Sequence, residues 1–135
     1  MVSTNLDCMK QIMLIAKEKL EIIDGAVCPV NWQYIYSDFR LVNTYSKDTV
    51  KYNIIKLKEL GFIIVAQTTL RSTDSLQICD ITVKGHEFIT RAMNYKIWEQ
   101  AKGRAEAIGG CSIIAFITIV DRIAVEQATK RLHGV

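Results

Sequence analysis

The chain has 135 residues, half of them hydrophobic, with a single proline and a formal charge of +3. A chain of that length can bury roughly two-thirds of its unfolded surface, which suits one ordinary domain and excludes both a second full domain and a largely disordered chain. The net charge is too small to call for nucleic acid, but it is concentrated: Arg40 to Arg104 holds 11 Lys and Arg against 6 Asp and Glu.

Apolar residues recur at Leu6, Met9, Ile12, Met13, Ala16, Leu20 and Ile23, with Lys10, Lys17, Glu18 and Glu21 on the other side. This spacing predicts a first helix over residues 5–23, ended by Asp24-Gly25. Val27-Cys28-Pro29-Val30 reads as an extended connector, because the residue before a proline avoids helical geometry. Asn31 then caps a short second helix with Trp32, Ile35 and Phe39 facing inward.

The next stretch is YSKDTVKYNIIKLKELGFI, residues 45–63. Ser46 is a natural N-cap, Asp48 suits the positive end of the helix dipole, and Gly61 is the expected stop. Val50, Ile54, Leu57 and Leu60 form the buried stripe, with Asn53 near its edge. Outside it lie Lys47, Lys51 and Lys58 on one flank, Thr49 and Lys56 on the other, and Asp48, Tyr52, Ile55 and Glu59 between.

FIIVAQTTL and LQICDITV, joined by the polar cluster RSTDS, predict a β-hairpin. A fourth helix, HEFITRAMNYKIWEQAKGRAEAI, is expected to bend near Asn94. Gly109-Gly110 ends it, and Ser112 caps a last helix over residues 113–132. Three helices followed by a hairpin is the order of an α+β winged helix-turn-helix, here with a C-terminal helical extension. The expected division is a winged-helix domain over residues 1–93 and C-terminal helices over 94–135, packed as one unit.

These stretches, YSKDTVKYNIIKLKELGFI, ITVKGHEFI, YKIWEQAK, and then the Gly-Gly and the final apolar helix, together resemble an uncharacterised winged-helix family of bacteria and their phages, domain of unknown function 2513. The resemblance runs from the first helix onward. It implies the architecture and a prophage or mobile-element setting, and it supplies no reaction or ligand. Where the family pattern has Tyr-His in the third helix, this chain has Tyr52-Asn53; where it has an aromatic before Gly-His, this chain has Val83-Lys84.

No enzyme is expected. There is no GxSxG, no HExxH and no Gly-rich phosphate loop, and the only histidines are His86 and His133. His86 stands beside Glu87, but adjacent helical residues diverge by about 100° and form no dyad. Cys8, Cys28, Cys79 and Cys111 show no CxxC pair and no histidine at ligand spacing, so they read as reduced apolar residues, with no metal or cofactor. The N-terminal MVSTNLDCMK lacks the pattern of a signal peptide, which predicts a cytoplasmic protein. CSIIAFITIV, residues 111–120, is too short to span a membrane, since Asp121 and Arg122 follow at once and a span needs about 20 residues.

Two binding functions fit. Lys47, Lys51 and Lys56 supply phosphate neutralisation, Thr49 and Tyr52, with Asn53, supply base reading, and Arg71 at the wing tip meets a groove or a phosphate; together they predict a double-stranded DNA interface and a regulator of transcription. The exposed Ile55 and Tyr52 suit a protein partner equally, as in a phage protein that modulates a host factor without binding DNA. The last helix is apolar around most of its circumference, which predicts a homodimer through Trp98, Ile113, Phe116, Ile117, Val120 and Ile123.

Overall fold

The computed structural model describes residues 4–68 and 75–132. Among them the chain is α+β, with seven helices and two small antiparallel sheets. It divides into two compact units, Met1–Glu87 and Phe88–Val135. Arg71 and His133 lie outside the described residues.

The first unit opens with α1 (Leu6–Lys19), capped by Asn5, whose side chain accepts from the Cys8 N–H. The helix is shorter than its periodicity predicts. Glu21–Ile23 is instead strand β1, paired with β2 (Ala26–Cys28) through a two-residue turn at Asp24-Gly25. Asp24 has φ 52° and Gly25 φ 80°, the left-handed pair of a type I′ turn, which a right-handed helix cannot continue through. Ile22 and Ile23 are therefore exposed on a hairpin rather than buried on a helix.

Asn31 does cap α2 (Trp32–Tyr36), which buries Trp32 and Ile35. A new helix, α3 (Phe39–Val42), begins at Asp38, and this restart turns Phe39 outward, 75% exposed, while Leu41 takes the inward place. The Asp38 carboxylate caps the Arg40 N–H at 2.9 Å and also receives the Arg40 side chain, which reaches on to Glu18 of α1. This fork joins α3 to α1.

Helix α4 (Lys47–Glu59) follows its sequence pattern. The Ser46 Oγ accepts from the Thr49 N–H at 3.1 Å, Val50, Ile54 and Leu57 are fully buried, and Gly61 has φ 81°. Leu60 sits at the margin, half-buried. β4 (Ile63–Thr68) and β5 (Ser75–Ile81) pair antiparallel, and β3 (Val30–Asn31) adds to the far side of β5, giving the order β3-β5-β4. The ladder steps from Ile64 opposite Asp80 to Val65 opposite Ile78, so Cys79 is skipped. That bulge explains why Leu76 and Ile78 alternate inward but Ile81, not Asp80, is the next buried residue.

Thr82 ties the end of the sheet to α4. Its hydroxyl donates to the Gly61 carbonyl at 2.7 Å and accepts from the Gly85 N–H at 3.0 Å, while Lys84 donates to the Leu60 carbonyl at 3.2 Å. The carbonyl of the C-cap Leu60 and that of Gly61 just beyond α4 thereby gain donors. α5 (Val83–Met93) starts here, and Gly85 lies against the Phe62 backbone so closely that a Cβ would stand 2.1 Å from the Phe62 carbonyl oxygen.

In the second unit, the expected long fourth helix is two. Asn94 is extended, with ψ 105°, and its side chain caps α6 (Tyr95–Ala107). The bend is thus a complete break with its own cap. α7 (Ile113–Leu132) returns along α6, with Ser112 accepting from the Ala115 N–H at 3.1 Å. Trp98 lies edge-on to Phe88 and to Phe116, with ring centroids 6.1 and 5.2 Å apart, and Phe116, Val120 and Ile123 complete this core. Arg104 to Glu126 at 2.9 Å, and an Arg91 to Asp121 pair, brace its flanks.

Gly85→Ala must displace backbone, so it should lower the stability to urea by about 1–3 kcal/mol, with an unchanged far-ultraviolet spectrum of the folded protein. The Arg40 guanidinium holds the Asp38 carboxyl at about 2, below its ordinary 3.8. Its contribution is present above the ordinary value and is lost as pH falls through 3.8 towards 2. The loss in Tm caused by Asp38→Asn should therefore be larger at pH 6 than at pH 2; an equal loss at both would detach the ion pair from stability.

Candidate nucleic-acid interface

The rotation of α4 decides which residues are available. Asn53 is fully buried, so it turns into the fold and not toward a ligand. Its Oδ1 accepts from the Asn5 N–H at 2.9 Å and its Nδ2 donates to the Thr49 carbonyl at 2.8 Å. Asn53 is structural, and the expectation that it reads bases is corrected.

On the outward side, Lys47 and Asp48 are exposed in the first turn, and Lys51 places its Nζ 5.1 Å above the Trp32 ring. Lys47, Asp48 and Lys51 together with Trp32, Gln33 and Tyr36 of α2 line an open cleft of about 390 Å³. Trp32 and Tyr36 contact each other with ring centroids 6.0 Å apart, forming its aromatic wall. Gln33, exposed beside these lysines, was not foreseen; nothing in a linear reading of α2 marks it, because its neighbourhood is created by the packing of α2 on α4.

The second half of the face differs. Lys56 Nζ sits 3.0 Å from Glu59 Oε2 and 5.0 Å above the Tyr52 ring. The Glu59 carboxylate holds the Lys56 ammonium above its ordinary pKa. Lys56 thus carries its counter-charge with it, and Tyr52, half-buried, is covered by it. Thr49 is half-buried and receives the Ser46 hydroxyl at 2.9 Å, so part of its hydrogen bonding is spent on the cap. Lys58 is exposed and Ile55 half-buried.

The candidate cations therefore form two groups: Lys47 and Lys51 at the α2 cleft, and Lys56 in a neutralised cluster. The first group can neutralise phosphates, with Gln33 as an amide donor and acceptor beside it. Among the described residues no group of three His, Cys, Asp or Glu side chains is placed to hold a metal, and no helix is long and apolar enough to cross a membrane. Cys8 is buried, and burial pushes its thiol up to about 12, so it stays protonated. His86 is exposed in the first turn of α5.

The residues expected to join two copies are placed otherwise. Trp98, Phe116, Val120 and Ile123 are buried in the core of the second unit, and Ile113 and Ile117 are half-buried. The large apolar residues α7 leaves exposed are Ile114, Val125 and Leu132.

A family model described as Hypothetical protein (DUF2513) matches residues 3–112 and stops one residue before α7. No curated protein and no solved structure matches the chain.

Because the fully buried Asn53 amide satisfies the Asn5 N–H and the Thr49 carbonyl, Asn53→Ala should cost about 1–3 kcal/mol of stability, measured by urea unfolding. A change within about 0.5 kcal/mol would show that water replaces the amide there.

Proposed function

The chain belongs to the DUF2513 family, and we propose that it is a winged-helix protein that binds double-stranded DNA through α4 in a regulatory role. The observation that carries this reading is the arrangement around α4: α1, β3, α2 with α3, α4, then β4 and β5 in the sheet order β3-β5-β4. In that arrangement α4 is the helix offered to a major groove and the β4–β5 hairpin is the wing. Lys47 and Lys51 meet phosphates and Gln33 adds an amide beside them, so the contact surface is centred on the α2 cleft rather than spread along α4. The reading needs no metal or cofactor, and its setting is that of a bacterial or phage regulator.

A second reading is favoured by the other half of the same face. Lys56 is neutralised by Glu59, and Tyr52 and Ile55 lie beside it. A surface of that kind suits a protein partner, as in a host-factor modulator that does not touch DNA.

Fluorescence anisotropy with mixed-sequence duplex DNA separates the two. The DNA reading expects affinity that falls log-linearly with salt, and Lys47→Ala with Lys51→Ala should reduce that slope by about 2, one for each phosphate contact. Lys56→Ala should matter less. No binding at low salt would discard the DNA reading in favour of the protein partner.

A further inference from the structure

α7 packs one apolar face within the second unit and leaves a second, mixed face exposed. Phe116, Val120 and Ile123 pack inside the second unit. Ile114, Thr118, Asp121, Val125, Ala128 and Leu132 form a separate stripe, spaced 4, 3, 4, 3 and 4 residues apart. At about 100° per residue, this stripe lies on the opposite side of the helix from the core residues. Ile114, Val125 and Leu132 are 69, 61 and 85% exposed, and Thr118 and Ala128 are exposed as well.

Ile114, Val125, Ala128 and Leu132 line up along this face, and the exposed Arg122 at its edge offers an opposite charge to Asp121 of a second copy of α7. We propose that α7 pairs antiparallel with α7 of a second copy through this stripe. The polar positions are consistent with such a seam. Thr118 donates its hydroxyl to the Ile114 carbonyl at 3.0 Å, so it presents its methyl without leaving the hydroxyl unsatisfied. Asp121 is paired with Arg91, which reduces the cost of covering it.

Asp121 also selects the orientation. A parallel pair would set the two Asp121 carboxylates against each other in one layer. In an antiparallel pair centred on residue 123, Asp121 faces Val125, Thr118 faces Ala128, and Ile114 meets Leu132 at both ends. Asp121 then stands about 4.5 Å along the axis from the exposed Arg122 of the other copy, within reach of that side chain. The contact is isologous and closes at two copies.

Sedimentation equilibrium on the full chain gives the first test. The wild type should be a dimer with micromolar dissociation constant. Val125→Asp and Ile114→Asp, both at exposed positions that leave the core intact, should each weaken it at least about tenfold with unchanged circular dichroism. A monomeric wild type, or dimers unaffected by both substitutions, would overturn the proposal. Orientation is read by oxidation in a Cys111→Ser background: Thr118→Cys combined with Ala128→Cys should cross-link two chains, and Thr118→Cys alone should not. Cross-linking by the single variant would overturn the antiparallel arrangement.

Discussion

The side chain on which the candidate surface depends is Asn53, the one fully buried polar side chain among the described residues. A buried amide that loses its partners costs about 1–3 kcal/mol, comparable to a large share of a domain's net stability. Here the carbonyl oxygen holds the Asn5 N–H and the amide nitrogen holds the Thr49 carbonyl. Turning α4 by one residue, about 100°, would break the link to Asn5 and expose Val50, Ile54 or Leu57. The directions of Lys47 and Lys51 are consequences of that fixed rotation. Asn5 in turn caps α1 with its side chain, so the same few atoms set the start of α1 and the facing of α4.

At its other end α4 is held by the latch at Thr82 and Lys84, whose donors reach the Gly61 and Leu60 carbonyls. The close approach of Gly85 to Phe62 keeps the latch in place, because only a residue without Cβ lets α5 begin so near that backbone. Helix α4 and the β4–β5 pair are thus joined by hydrogen bonds as well as by chain connectivity. A surface made from both elements acquires a fixed geometry, which any readout of a duplex requires.

How much of this was legible in the sequence depended on the range of the signals involved. The caps at Ser46 and Ser112 and the stop at Gly61 are local, set by residues three or four apart, and the β4–β5 pair is marked by its two β-branched runs; at these places the sequence reading and the structure agree. The end of α1 departs from the sequence pattern because Leu20 and Ile23 continue a helical period by chance, while Asp24-Gly25, between the apolar pairs Ile22-Ile23 and Ala26-Val27, is the stronger, hairpin signal. Phe39 was misplaced because Asp38 restarts the helix, and a restart shifts the phase of every later residue. At Asn94 the cap was visible as a side chain but its effect was underestimated. The candidate site was legible only as a set of lysines. That Lys56 is matched by Glu59, and that Lys47 and Lys51 share a cleft with Gln33, are facts of spatial packing with no linear signature.

The same distinction explains α7. Its composition says only that the helix is apolar on most sides, and composition alone assigned Phe116, Val120 and Ile123 to a contact between copies. The packing of α6 on α7 claims those residues first, because Trp98 needs aromatic and aliphatic neighbours to fill the space around its large ring. What remains outside is a weaker stripe, broken by Thr118 and Asp121. A stripe of that strength fits an association that is reversible and concentration-dependent, unlike an obligate interface, which is more apolar and larger.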